Sequence, residues 1–338
     1  MRSPVPSFPS DTPRKQGTGP GTIGDREPVP GHAYRSGFVG IVGRPNVGKS
    51  TLLNAYLGEK FAIVSPRPQT TRHRVLGVLT REDAQVLFLD SPGFHEPEHA
   101  LGRYMLEVAK TVLEEADVLV ALIDGRVSLT EADERLFARI RQTLRQPGGS
   151  GAARTALLAI NKVDLVKKPR LLPLLEACAK TQTFAECIPI SALSGEQLDV
   201  LLERIIAHLP EGPRWYEPKQ RTDQTVSQLI RELIREQVLL ATRQEVPHAV
   251  AVRLDQVTEG ERVTAIHATI LVERPGQKAI VIGRGGAMLK HIGQEARRGL
   301  ERIVGRKVHL ALWVKVAEDW RRDERVLREL GYTGAGGR

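Results

Sequence analysis

Between residues 38 and 190 the chain alternates short apolar runs with longer stretches whose apolar positions recur every three or four residues. The runs fall at 38–42, 86–89, 118–123, 156–160 and 188–190. Unbroken runs of this length predict strands buried on both faces, and the amphipathic stretches 101–115 and 131–144 predict crossover helices between them. The pattern is that of an α/β, mostly parallel, doubly wound sheet. It is broken by Pro210, Gly212 and Pro213, after which 214–222 is polar and reads as a linker.

A second pattern begins near Gln224. Val226, Leu229, Ile230, Leu233, Ile234 and Val238 recur at helical spacing, whereas Val250, Val252 and Leu254, and then Ile266, Ala268, Ile270 and Val272, alternate as strand residues do. A further helix is predicted after Gly286, a strand over 307–316 and a last helix over 318–330. This is a smaller α+β domain with a three-stranded sheet. Residues 1–35 hold seven prolines and five glycines with little apolar periodicity, too little to offset the entropy of ordering. The expected division is a disordered tail (1–35), an α/β domain (36–211), a linker (212–223), the α+β domain (224–331) and a flexible C-terminus (332–338).

Charge adds a class of partner. The 338 residues carry a formal net charge of +9 and a pI near 9.7, which favours nucleic acid or an anionic membrane surface. The only cysteines, Cys178 and Cys187, lack metal-ligand spacing and are expected to fill core in a reducing cytoplasm. With no run approaching 18 apolar residues and no basic-then-apolar leader, the chain is expected to be soluble and unexported.

The candidate chemistry sits at the ends of the predicted strands. Gly43, Arg44, Pro45, Asn46, Val47, Gly48, Lys49 and Ser50 match GxxxxGKS/T between a strand and a helix that begins with Thr51 and its neighbours. Backbone N–H groups of such a loop wrap phosphates, Lys49 reaches the β and γ phosphates, and Ser50 ligates Mg²⁺. Asp90, Ser91, Pro92 and Gly93 form a DxxG element after the run at 86–89, where Asp90 can hold Mg²⁺ from behind. Asn161, Lys162, Val163 and Asp164 close another strand. The Asp164 carboxylate can accept from guanine N1–H and the 2-amino group, which adenine does not offer. Ser191, Ala192 and Leu193 follow the next strand and can bring a backbone N–H near guanine O6. Four elements in this order predict GTP/GDP as the ligand. Between them lies the polar loop 65–73, in which a threonine is expected to ligate Mg²⁺ and sense the γ-phosphate. Thr71 is preferred over Thr70. Lys49, Thr71, Asp90 and Gly93 are the residues expected to act on the reacting phosphate. Phe94 stands where Ras-like enzymes place a water-orienting glutamine, which predicts slow intrinsic hydrolysis.

In the second domain Gly283, Arg284, Gly285 and Gly286 form a GxxG loop, with Lys290 four residues on; such loops let a nucleic-acid backbone approach a helix N-terminus. Over 281–330 twelve Lys or Arg face seven Asp or Glu, a local excess of five positive charges.

Taken together, GRPNVGKSTLLN at 43–54, PQTTRHR at 68–74, DSPGFH at 90–95, NKVD at 161–164, VIGRGGAMLKHIG at 281–293, VHLALWVKV at 308–316 and DERVLRELGY at 323–332 resemble the Era family of translation-factor-related GTPases. The resemblance covers about residues 36–332. It implies a C-terminal KH domain of the second topological type, binding of the 3′ end of 16S ribosomal RNA, and a role in maturation of the 30S subunit. The chain is expected to be a monomer of the cytoplasm, with peripheral association with the cytoplasmic face of the inner membrane left open. The chain departs from the family in Ser91, where threonine is usual, in Arg284-Gly285 inside GxxG, usually a polar and a basic residue, and in the long tail. Two other functions stay open on the residues alone: a P-loop kinase of small molecules, which NKVD argues against, and a GTPase adsorbed to anionic lipid.

Overall fold

The computed structural model of the protein describes residues 33–67, 69–94, 96–146, 151, 153–243 and 245–332. The expected tail lies outside the described residues as far as residue 32, but Arg35 is already the first residue of a strand. The N-terminal domain runs β1 (Arg35–Gly43), α1 (Lys49–Leu57), β2 (Val75–Thr80), β3 (Ala84–Asp90), α2 (Ala100–Glu115), β4 (Val118–Asp124), α3 (Glu131–Thr143), β5 (Thr155–Asn161), α4 (Leu172–Lys180), β6 (Glu186–Pro189) and α5 (Leu198–His208). Its sheet order is β2-β3-β1-β4-β5-β6, parallel except for β2.

Side chains alternate across each strand, and here both sets are buried. Val39, Ile41, Val120 and Leu157 pack with Leu52, Leu201 and Ile205 on one side; Val42, Leu119 and Leu158 pack with Val112, Phe137 and Ile140 on the other. That double burial is why the strands read as unbroken apolar runs. The edge strand β2 escaped the pattern because Gly77 interrupts it. A Cβ at Gly77 would lie 2.5 Å from Leu53 and 2.7 Å from Leu57, so α1 presses directly on the strand backbone. Cys178 is buried in the core, its thiol pushed up to about 12 by that burial, and Cys187 packs at the core's edge.

The C-terminal domain runs α6 (Val226–Ala241), α7 (Val246–Ala249), β7 (Ala251–Glu259), β8 (Val263–Val272), α8 (Pro275–Ile282), α9 (Ala287–Val304), β9 (Lys307–Val316) and α10 (Glu324–Glu329). In its sheet, ordered β7-β8-β9, β7 is antiparallel to β8 and β8 parallel to β9. A parallel pair needs a crossover, which α8 and α9 supply. Thr225 starts α6 through a reciprocal capping box with Gln228. The apolar stretch before GxxG is itself helical, so the loop joins two helices. The last helix is shorter than the 318–330 expected. Asp319 takes a left-handed φ of 49°, the Trp320 indole N–H donates to Ala249 O, and Asp323 caps α10 by accepting from Arg325 and Val326 N–H.

The 212–223 segment is bound along the N-terminal sheet. The Gln85 amide accepts from the N–H groups of Trp215 and Tyr216 and donates to Tyr216 O, while the Thr222 hydroxyl donates to Leu76 O. A fourth apolar cluster joins the domains, with Ala100, Leu101 and Met105 against Ala251, Leu271, Trp320, Leu327, Leu330 and Tyr332. Tyr332, expected to begin a flexible end, is instead held: its ring stacks on His73 with centroids 4.7 Å apart. Residues 333–338 of that expected end lie outside the described residues. Among the described residues no helix is long and apolar enough to cross a membrane.

Candidate functional site

All four nucleotide elements converge at the C-terminal ends of β1, β3, β5 and β6, the edge where open α/β sheets bind ligands. Gly48 opens α1 with φ 104°, and a Cβ there would stand 2.3 Å from the Asn161 side-chain nitrogen. Glycine is thus required on two counts, backbone conformation and space. Gly43 is equally confined: its Cβ would meet Leu122 O at 2.6 Å. Gly93 lies against the loop so closely that a Cβ would be 2.6 Å from Pro45 N.

The loops brace one another. Asn161 donates from its amide to Val47 O at 2.7 Å and accepts from Ala192 N–H at 2.9 Å. Lys162 donates to Asn46 O at 2.6 Å and to Asp124 at 2.8 Å; the Arg126 and Lys162 partners hold the Asp124 carboxyl well below the usual range despite its desolvation. Ser191 Oγ donates to Asp164 Oδ1 at 2.6 Å, fixing the carboxylate that is expected to read guanine. The Ala192 N–H is already engaged, so of that tripeptide it does not offer a free donor, and Leu193 stands 82% exposed at the rim.

Lys49 is buried, with Nζ donating to Gly43 O at 3.1 Å and Arg44 O at 2.9 Å; desolvation lowers its pKa to about 8 against the opposing pull of Asp90. Ser50 Oγ lies 2.8 Å from Thr71 Oγ1 and donates to Asp90 Oδ2 at 2.6 Å, and Thr71 Oγ1 is 3.4 Å from the same oxygen. Three oxygens from three elements thus meet at one point. Asp90 is fully buried, which raises its carboxyl to about 6, and its Oδ1 has no hydrogen-bond partner among the described residues. Two hydroxyls and a buried, incompletely satisfied carboxylate are hard oxygen donors that suit Mg²⁺. A cavity of about 60 Å³ lies alongside, lined by Gly48, Lys49, Ser50, Thr51, Thr71 and Gly93 among others.

The structure separates the two switch threonines. Thr70 Oγ1 turns into its own loop, bonded to Arg67 O and Ser65 Oγ, both at 2.7 Å, while Thr71 points to Ser50 and Asp90. Ser91 Oγ donates to Ile41 O inside the sheet, so its hydroxyl braces β3 on β1 instead of facing the cradle. Arg44 turns its guanidinium away to Asp133 at 2.7 Å, which leaves its backbone to line the loop. Phe94 packs on the core with the Arg139 guanidinium 5.9 Å from its ring centroid.

One set of contacts is invisible in the sequence pattern. The loop that carries Thr71 is held by the C-terminal domain. The Arg235 guanidinium, paired with Glu232, donates to Thr70 O; Glu236 accepts from Val64 N–H at 2.8 Å and from Lys60 at 2.6 Å. Arg72 is 1% exposed and donates to Val250 O at 2.8 Å and to the Tyr332 hydroxyl at 3.3 Å. His73, whose pKa burial pushes down to about 4, lies 2.9 Å from the Tyr104 hydroxyl. A helical wheel of apolar positions passes over Arg235 and Glu236, which are buried against partners that include groups more than 160 residues away in sequence.

In the second domain Gly283, Gly285 and Gly286 all take left-handed φ values, 72°, 58° and 80°. A Cβ on Gly283 would strike Met288 at 2.6 Å, whereas Gly285 and Gly286 face open space. Gly286 caps α9, which has no acidic residue in its first turn, and Arg284 and Lys290 are exposed beside it.

Comparison with known proteins gives two family matches and close structural relatives. Residues 38–162 match the family described as 50S ribosome-binding GTPase, and residues 245–321 match the KH domain. A crystal structure of Era in complex with MgGDPNP and nucleotides 1506–1542 of 16S ribosomal RNA is 40% identical, with a TM-score of 0.83 over 89% of this chain and 99% of that one. A tyrosine-to-alanine variant of Aquifex aeolicus Era, bound to GDP and tetrafluoroaluminate, is 41% identical, with a TM-score of 0.82 over 88% of this chain and 99% of that one.

Proposed function

The chain belongs to the Era family of GTPases with a C-terminal KH domain, and from that premise we propose that it binds ribosomal RNA near the 3′ end of 16S RNA in a manner set by its nucleotide. The proposed role is in maturation of the 30S subunit, carried out by a monomer in the cytoplasm.

In this reading Asp164 and Asn161 secure the guanine side, and the backbone of residues 43–48 wraps the phosphates. Lys49 leaves the Gly43 and Arg44 carbonyls to meet the β and γ phosphates. Ser50 and Thr71 would ligate Mg²⁺, with Asp90 behind them. The ion, when bound, neutralises phosphate charge as the γ-phosphate leaves. Gly93, packed on Pro45, keeps the backbone of the DxxG element against the cradle. Phe94 has no hydrogen-bonding group for the attacking water, so the intrinsic rate is expected to be slow. The exposed GxxG loop with Arg284 and Lys290 would receive the RNA backbone at the N-terminus of α9.

The observation that carries the reading is the position of Thr70 and Thr71. One side chain joins the Ser50 and Asp90 cluster, and the preceding carbonyl is gripped by Arg235 of the RNA-binding domain. A change in what Thr71 ligates therefore changes what α6 holds. The test is RNA affinity of the full chain, with Mg²⁺ and a non-hydrolysable GTP analogue, GDP or no nucleotide. Differing affinities are expected, because a ligand shifts an equilibrium only by its differential affinity for the two states. Equal affinity in all three conditions would sink the coupling.

A further inference from the structure

The KH sheet has two faces with different fates. Residues Ile266, Ala268 and Ile270 of β8 and Val308 and Val314 of β9 are buried under α6 and α9. The alternate residues of the same strands point the other way. At one end that outer face is covered, with Ala251 and Leu271 buried against Leu101, Met105 and Trp320. Beyond Lys315 and Trp313 it is open. Across β8 and β9 the outer pairs are Leu271 with Lys315, Thr269 with Trp313, His267 with Ala311, Ala265 with His309, and Val263 with Lys307.

Trp313 is 51% exposed, while Trp320 is fully buried and Trp215 is half-buried against Phe38. Its ring is braced by His267, with centroids 5.5 Å apart and planes 29° apart, so it is presented rather than loose. The outer residues of β8 and β9 include Lys307, His309, Lys315 and His267 and no carboxylate. On β7 the Asp255 carboxylate is taken by Arg253 at 2.8 Å and by the Thr269 hydroxyl at 2.6 Å. A ring with one face to solvent, with Lys315 beside it and the nearby Asp255 carboxylate already engaged by Arg253 and Thr269, is an arrangement that can hold a base by stacking and its backbone by charge.

From this we infer that the open sheet face around Trp313 is a second RNA surface, taking an unpaired base of the same ribosomal RNA that engages the GxxG loop. This rests on the proposed function above. GxxG lies between α8 and α9, on the opposite layer, and β9 is the edge strand. An RNA held at the loop would reach Trp313 by passing over that edge. A GxxG loop clamps only about four nucleotides, whereas the Era relative was crystallised with nucleotides 1506–1542. Charge complementarity and the braced ring favour RNA here over a protein partner.

The experiment measures affinity of the full chain, with Mg²⁺ and a GTP analogue, for the 1506–1542 RNA and for a shorter RNA truncated to its 3′ end. Trp313→Ala is expected to weaken the long RNA roughly ten- to a hundred-fold, the range one base stacked on one ring supplies, while the short RNA changes less than about twofold. Trp313→Phe should recover most of the loss, and Lys307→Glu with Lys315→Glu should reproduce it. The Gly286→Asp variant must weaken both RNAs. If Trp313→Ala leaves both RNAs unchanged while Gly286→Asp weakens them, the face serves another partner, such as a protein, and this inference falls alone. If Trp313→Ala weakens both RNAs equally, the surfaces are not separate and the inference also falls. If the unaltered protein binds neither RNA, the functional reading falls with it.

Discussion

The protein uses the same device twice: a glycine loop that opens a helix N-terminus. The loop at 43–50 is closed in. Asn161, Lys162 and Gly93 press on it, and a single added carbon at Gly48 would collide at 2.3 Å. The loop at 283–286 is free on its outer side, where added carbons at Gly285 and Gly286 meet nothing within 4 Å. The first must surround a compact nucleotide on all sides, so its neighbours form part of the site. The second, in the proposed function, must let a polymer pass, so only its conformation is fixed. Helix dipole and backbone N–H groups are common to both; enclosure decides what each can hold.

That contrast can be broken experimentally. The largest effect is expected from Gly48→Ala, which combines a steric clash with a left-handed φ. GDP affinity, read by fluorescence of a labelled nucleotide, should fall by more than about a hundredfold, equivalent to roughly 3 kcal/mol. Next, Thr71→Val should lower Mg²⁺-dependent affinity for a GTP analogue about tenfold while GDP binding changes little, and Thr70→Val should do neither. A comparable loss from Thr70→Val would reassign the switch residue. Gly286→Asp places a carboxylate among the phosphates of a bound RNA; RNA affinity should drop roughly tenfold, with GTP hydrolysis within about twofold of the starting rate. The smallest effect belongs to Gly285→Ala. With open space around it, only the left-handed backbone is strained, and chemical denaturation should show a loss of about 1 kcal/mol with RNA binding almost intact. A larger loss of RNA binding would mean that the second loop is as tightly enclosed as the first.

Legibility in the sequence follows the same divide. The nucleotide site could be read because its chemistry is carried by short contiguous segments, each at the end of a buried strand. The preference for Thr71 rested on ligand logic alone, and the structure supplies a geometric distinction, with Thr70 turned back on Ser65 and Arg67. The three-stranded second sheet was legible in the alternation of 250–254 and 266–272. What could not be read depends on distant partners. Arg72, Arg235 and Glu236 look like surface charges until the other domain is placed beside them. Strand β2 was hidden by Gly77 and by its edge position, and the helix expected over 318–330 is cut short because its apolar residues serve the domain junction. Amphipathic spacing records that a residue is buried, and says nothing of whether a helix or another domain buries it.

The attachment of the linker has a mechanical corollary. Thr222 is pinned to Leu76, and α6 begins a few residues later, so the near end of that helix is a pivot. Arg235 grips the switch loop about 15 Å along the axis, at 1.5 Å per residue. A loop displacement of about 1–2 Å, the size of ordinary helix shifts in switching proteins, would then swing α6 through roughly 4–8°. In the coupling proposed above, the γ-phosphate would drive the short arm of a lever whose long arm carries the glycine loop and Trp313.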